Sequence, residues 1–197
     1  DGLAPVDQAG VLFLSGRHGA EAGSAVSAVK NGSRTFLVEV QALVSSSRYG
    51  TPQRVVQGVD TKRVGLLCAI LEKRAGLDLG GCDIFVKEAG GGRIDDPGAD
   101  LAIMAALASS LRERPVPLDT LILGEVGLTG EVRQVADMES RLREASRHGF
   151  SRAILGGGKA GRKARKVEGM EMVAVSTVEE AMRLTFESRG RQAGGGA

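Results

Sequence analysis

The sequence has no tryptophan, one tyrosine and five phenylalanines, so only 3% of its 197 residues are aromatic. Proteins that grip single strands by stacking bases use arrays of aromatic rings, and so few rings exclude that mode. Cysteine is scarcer still: Cys68 falls inside a helical pattern and Cys82 follows a Gly-Gly turn. Two thiols build neither a disulfide framework nor a zinc quartet, and they suit a reducing compartment. No apolar run approaches the roughly 20 residues of a membrane-spanning helix, and no basic-then-apolar leader opens the chain. A soluble, cytoplasmic protein is expected. Charge of one sign is also lacking. The 26 Lys and Arg against 24 Asp and Glu leave +2, so a nucleic-acid partner has to be argued from local clusters.

Common enzyme strings are missing too. A phosphate-binding P-loop needs a hydroxyl after its lysine to hold magnesium; the nearest string, Gly156-Gly157-Gly158-Lys159, is followed by Ala160. His18 and His148 are far apart and lack metal-ligand spacing, so no metal site is expected and both read as surface residues. Ser27-Ala28-Val29-Lys30 matches the SxxK of penicillin-recognising enzymes. Here it lies in a predicted strand, where residues three apart face opposite sides, so it reads as chance. No G-x-S-x-G elbow occurs.

What is present is glycine, 29 residues of it, with 42% hydrophobic and 25% charged residues, the composition of a globular fold with many turns and an aliphatic core. Residues 1–10 read as a linker. Strands are predicted at 11–15, 24–29, from Arg34 through RTFLVEVQALV, and at 55–59, with a loop at 45–52. Asp60 and Thr61 cap a helix over 62–74 that Gly76 stops. After a strand at 83–87, Asp96 is an N-cap and Pro97 a first helical residue. Leu101, Met104, Ala105, Ala108 and Leu111 then form one apolar stripe. A strand at 120–126, a turn at 127–130 and a partner strand at 131–135 follow. Next come a helix over 137–148, a strand at 152–155, a glycine-rich basic loop at 156–166 and a strand at 170–175. A Thr177/Glu180 capping box opens a last helix over 178–187. Residues 189–197 read as a disordered tail. One α/β (α+β) unit over 11–188 is expected, with helices layered on a sheet.

Longer strings carry a resemblance. DIFVKEAGGGRIDDPGADLAIMAALASSLRERPVP, LILGEVGLTGEVRQV and SRLREASRHGFSRAILGGG resemble the proteolytic domain of the Lon proteases. The whole chain, from VLFLS through FLVEVQALVSSSRYGTPQRVVQGVDTKRV to the last helix, is similar to the C-terminal Lon-like domain of the RadA (Sms) family. The resemblance implies the fold shared with the second domain of ribosomal protein S5. It also implies a hexameric, DNA-dependent ATPase of recombination and repair that promotes branch migration. The zinc finger, ATPase core and KNRFG motif of that family lie N-terminal to this domain. Zinc, ATP and magnesium are therefore expected there and no cofactor here, and the sequence is expected to be a fragment.

Lon hydrolysis uses a serine activated by a lysine that must lose its proton. By the resemblance, the place of the serine in D-G-P-S-A-G falls on Gly98 of DDPGAD, and the place of the lysine, counted from Gly124, falls on Glu139. No lysine occurs between Lys87 and Lys159. Ser109 and Ser110 read as packing residues within a helix. The expectation is no catalytic residue in this fragment, with ring assembly and DNA contact in its place.

Two basic groups are candidates for that contact. Arg48, Arg54, Lys62 and Arg63 bracket the SSSRYGTPQR loop and the next helix start; Lys159, Arg162, Lys163, Arg165 and Lys166 crowd the KAGRKARK loop. Glu113, Glu125, Glu131, Asp137 and Glu139 read as structural, with Arg133 a salt-bridge partner for the hairpin glutamates. Two other readings stay open: a Lon-type peptidase with displaced catalytic residues, and a scaffold that forms hexamers without touching DNA.

Overall fold

In a computed structural model, residues 19–47, 50–158 and 167–187 are described. The predicted strands at 24–29 and from Arg34 form a long antiparallel hairpin, β1 (Ser24–Asn31) and β2 (Arg34–Ser46), turned at Gly32 with φ 60°. β2 runs further than expected. Ser45 and Ser46, assigned to a loop from their polarity, stay in register with Asp83 and Cys82 of β4 (Cys82–Glu88), whose ladder holds the backbone extended. β3 (Arg54–Gln57) lies parallel to β4 as the outermost strand. Val59, expected to end that strand, instead bridges Ile94.

α1 (Thr61–Ala75) begins where Asp60 accepts a hydrogen bond from the Arg63 N–H at 2.8 Å, and it ends at Gly76 with φ 65°. Without the carboxylate, that first-turn N–H has only water as a partner. We expect Asp60→Ala to lower stability by about 1 kcal/mol, read as an earlier urea midpoint with unchanged slope.

The prediction of one continuous strand over 120–126 fails at Gly124. Its N–H donates to the Gly98 carbonyl (2.9 Å) and its carbonyl accepts from the Leu101 N–H (3.1 Å), which pulls the chain out of the sheet. The run therefore divides into β5 (Thr120–Leu123) and β6 (Glu125–Val126), and β6 pairs with β7 (Val132–Arg133) in a separate small hairpin. β8 (Arg152–Gly156) and β9 (Glu171–Val175) complete the main sheet in the order β3-β4-β2-β1-β5-β8-β9, mostly parallel.

α2 (Asp100–Leu111) follows a 3-10 turn at Pro97–Ala99. Its apolar surface is not the single stripe expected. Every residue from Asp100 to Ser109 is buried, because the helix is enclosed by the sheet, α1 and α4 (Val178–Phe186), as an all-round apolar helix requires. Ser109 and Ser110 do more than pack. Ser109 Oγ accepts from the Gly23 N–H and donates to the Arg114 carbonyl, and Ser110 Oγ accepts from the Val44 N–H, tying α2 to both strands of the long hairpin.

α3 (Met138–Arg147) covers the opposite face of the sheet, its Met138, Leu142 and Ala145 packing on Val26, Ala28, Leu37, Leu121 and Leu123. Among the described residues two cores thus flank one sheet, with α1, α2 and α4 on one side and α3 on the other. The expected capping box of α4 forms at Thr177, with its return bond one residue earlier. Thr177 Oγ1 accepts from the Glu180 N–H, while the Glu180 carboxylate accepts from the Ser176 N–H. The expected linker at 1–10, strand at 11–15 and tail at 189–197 lie outside the described residues, as does most of the basic loop.

Candidate functional site

The turn at the start of α2 brings together the ends of five elements: the loop after β4, the 3-10 turn, β1, β6 and α3. Asp96 is its centre. Its carboxylate accepts from the Gly98 N–H (2.8 Å), the Lys30 N–H (2.7 Å) and the Arg141 guanidinium of α3 (2.7 Å). Arg141 also donates to the carbonyls of Ala28 (2.5 Å) and Ala136 (2.9 Å), with its side chain only 4% exposed. Burial pushes the Asp96 carboxyl up, but the hydrogen bonds from Arg141, Lys30 and Gly98 and the Arg141 charge outweigh it. The result is a pKa below the ordinary aspartate value.

A second, partly buried pair stands beside it. Arg63 Nε donates to Asp100 Oδ1 at 2.6 Å, and its two terminal nitrogens donate to the carbonyls of Ile94 (3.1 Å) and Asp96 (2.7 Å). The other Asp100 oxygen accepts from the Val126 N–H at 3.2 Å. Here burial dominates and raises the Asp100 pKa, against the charge and hydrogen bond of Arg63. Asp96 is thus held by Arg141 through its carboxylate and by Arg63 through its carbonyl, and Pro97–Ala99 is clamped between two guanidinium groups.

Gly98 is buried in this clamp. A Cβ there would lie 3.0 Å from Asp96 Oδ1, 3.0 Å from Val135 Cγ1 and 3.2 Å from an Arg141 terminal nitrogen. The place expected for a serine has neither a hydroxyl nor room for one without displacing its neighbours. Glu139, which the motif count puts at the place of the lysine, does not face Gly98. Glu139 sits on the outer face of α3, paired with Arg143 in a surface cleft beside Thr35 and Asp137, whereas the α3 residue facing Gly98 is Arg141. Arg141 shares the buried face of α3 with Met138, Leu142 and Ala145.

Of the basic candidates, Arg54 and Lys62 are exposed. The Arg54 guanidinium reaches α1, 3.9 Å from where a Cβ on Gly65 would lie, and Gly65 is one turn from Lys62. Arg63, their sequence neighbour, points the other way and is committed to Asp100. Arg48, Lys159, Arg162, Lys163, Arg165 and Lys166 lie outside the described residues.

The remaining polar candidates have structural partners. Ser27 Oγ donates to the Ile122 carbonyl inside one core, while Lys30 Nζ bonds Asp137 at 2.8 Å, so the SxxK string is split across the sheet. That contact lowers the Asp137 pKa. Arg133 pairs with both Glu125 and Glu131, as expected. A hydrogen bond from Thr129, then one from its own backbone N–H, with a further contribution from Arg133, hold the Glu131 pKa at about 2 against the opposing effect of burial. Cys68 and Cys82 are free and buried, and burial raises both thiols. Among the described residues no group of three or more His, Cys, Asp or Glu could hold a metal, and no helix is long and apolar enough to cross a membrane.

The comparisons with known proteins agree with this geometry. Relatives called DNA repair protein RadA are similar over nearly the whole chain. The one from Pseudomonas aeruginosa is 44% identical over 186 residues, 94% of this chain and 41% of that protein. The one from Bacillus subtilis is 43% identical over 186 residues, 94% of this chain and 40% of that protein. The one from Escherichia coli is 40% identical over 181 residues, 92% of this chain and 39% of that protein. The chain therefore spans about two fifths of the length of these relatives. Residues 81–187, which hold the Asp96–Gly98 turn, α2, the β6-β7 hairpin and α3, match the Lon protease (S16) C-terminal proteolytic domain, and the chain belongs to that family.

Proposed function

We propose that this chain is a non-peptidase Lon-like domain that contributes DNA contact and hexameric assembly to a RadA-type DNA repair ATPase in the cytoplasm. One observation carries the reading: Gly98, at the place of the serine, is enclosed by the Asp96–Arg141 ion pair. Glycine supplies no nucleophile. The Arg141 guanidinium has only donors, which it spends on Asp96 and the carbonyls of Ala28 and Ala136, so it does not supply the base that a Lon lysine provides. The site is used to hold the start of α2 in place. DNA contact is assigned to Arg54 and Lys62, exposed on one corner of the fold. The KAGRKARK loop is a second proposed contact from sequence alone. Nucleotide, magnesium and zinc are assigned to the part of the RadA relatives that this chain does not span.

Binding to duplex and single-stranded DNA at several salt concentrations, with the solution mass measured alongside, tests this reading. Each phosphate neutralised contributes about −0.9 to the slope of log affinity against log salt on duplex DNA. Arg54→Glu combined with Lys62→Glu is therefore expected to weaken binding and to make the salt dependence shallower. Unchanged affinity and slope would leave a scaffold without DNA contact.

A further inference from the structure

The face of the sheet that α3 covers is only half covered. α3 packs over β1, β2, β5 and β8, and among the described residues no helix lies over the outer half of β2, β4 and β3 on that side. There the ladder aligns Leu43 of β2 with Phe85 of β4, and Phe85 with Val55 of β3. This apolar row crosses three strands, with Leu43 59% and Val55 52% exposed. It lines a cavity of about 590 Å³, and Gly19 is part of the same lining.

We propose that this face is the docking site of the apolar run Val11-Leu12-Phe13-Leu14 of the same chain. Residues 8–16 contain no charge, and 11–14 have the apolar character that the row lacks above it. Three arguments favour this occupant over a separate partner. Chain length permits it: the four residues from Ser15 to His18 reach about 13 Å, and a row across three strands is about 10 Å wide. The point of departure suits it, because Gly19 is already at the cavity. The tether gives the segment an effective concentration near the millimolar range, so modest apolar contact suffices.

Hydrogen–deuterium exchange on the 197-residue chain is the test. The amides of residues 12–14 are expected to exchange at least about tenfold more slowly than free-peptide rates, equally at two chain concentrations tenfold apart. Leu43→Asp and Val55→Asp change side chains that are mostly exposed, so exchange in β1 stays as it is while protection of 12–14 is lost. Phe13→Asp does the same, and adding it to Leu43→Asp produces no further change, because both act on one contact. Free-peptide rates at 12–14 in the unaltered chain overturn the proposal, as does protection that survives Leu43→Asp. Protection that falls on dilution also overturns it and assigns the face to a second copy.

Discussion

Replacing Arg141 with methionine is expected to destabilise the fold by about 3–5 kcal/mol at neutral pH, the loss typical when one partner of a buried pair is removed. Methionine keeps most of the volume of the stem, so the loss comes from charge. Asp96 would remain buried with only the Lys30 and Gly98 N–H groups to stabilise its negative oxygens, and the carbonyls of Ala28 and Ala136 would each lose a donor. The sign of the pH dependence follows from the lowered Asp96 pKa. A carboxyl with a folded pKa below its unfolded value of about 3.9 stabilises the protein above that value. The contribution disappears as pH falls through the folded pKa. In Arg141→Met the cation is gone and burial raises the Asp96 pKa, so the carboxyl becomes neutral at a higher pH than in the unaltered protein. The difference between the two proteins is thus greatest near pH 7 and shrinks toward pH 4. Urea unfolding at both pH values measures this. A loss below about 1 kcal/mol, or an equal loss at both pH values, would mean that the pair does not organise the turn.

Gly156→Ala should be nearly as damaging, with a loss of about 3 kcal/mol, the upper end of the cost of overpacking. A Cβ on Gly156 would lie 2.3 Å from the Arg133 carbonyl oxygen and 2.8 Å from Val132 Cγ1. The first contact is with backbone, which has no rotamer by which to move aside. Nor can the hairpin shift as a body. The Val132 N–H donates to the Ser176 carbonyl and the Val132 carbonyl accepts from the Gly157 N–H, pinning β7 between the ends of β8 and β9. The control is Gly149→Ala. Gly149 has φ 83° with nothing within 4 Å of its virtual Cβ, so that change costs only left-handed backbone strain, about 1–2 kcal/mol. For a chain of this size, 3 kcal/mol corresponds to a Tm fall of about 6–12 °C. Equal falls for the two variants would show that the close approach of β7 to Gly156 is not a constraint.

Local signals made most of the elements readable before the structure was known. Asp60, Gly76, Pro97 and Thr177 each mark a boundary because capping and turn chemistry acts within a few residues. Failures came where distant groups overrode local preference. Ser45 and Ser46 are held in a strand by β4, and Gly124 is drawn out of one by Gly98 and Leu101. The full enclosure of α2 depends on α1 and α4, which no single amphipathic pattern reports. In the site, Gly98 and the loss of its hydroxyl were legible, since they need only a position in a motif. Arg141 was not, because its role depends on which side of α3 meets β1 and the 3-10 turn. Arg63 was misleading for a related reason. Next to Lys62 and near Arg54 it looks like part of a basic patch, but helical rotation turns it inward to Asp100.

The proposed loss of peptidase chemistry rests on Gly98 and the Asp96–Arg141 ion pair that encloses it. Treating the chain with a serine-reactive phosphonate probe and locating any adduct by peptide mass spectrometry tests it most directly. No adduct is predicted on any serine, since Gly98 has no hydroxyl and Ser27, Ser109 and Ser110 are engaged in hydrogen bonds within the fold. Stoichiometric labelling of a serine would contradict the claim and place a displaced nucleophile in this domain.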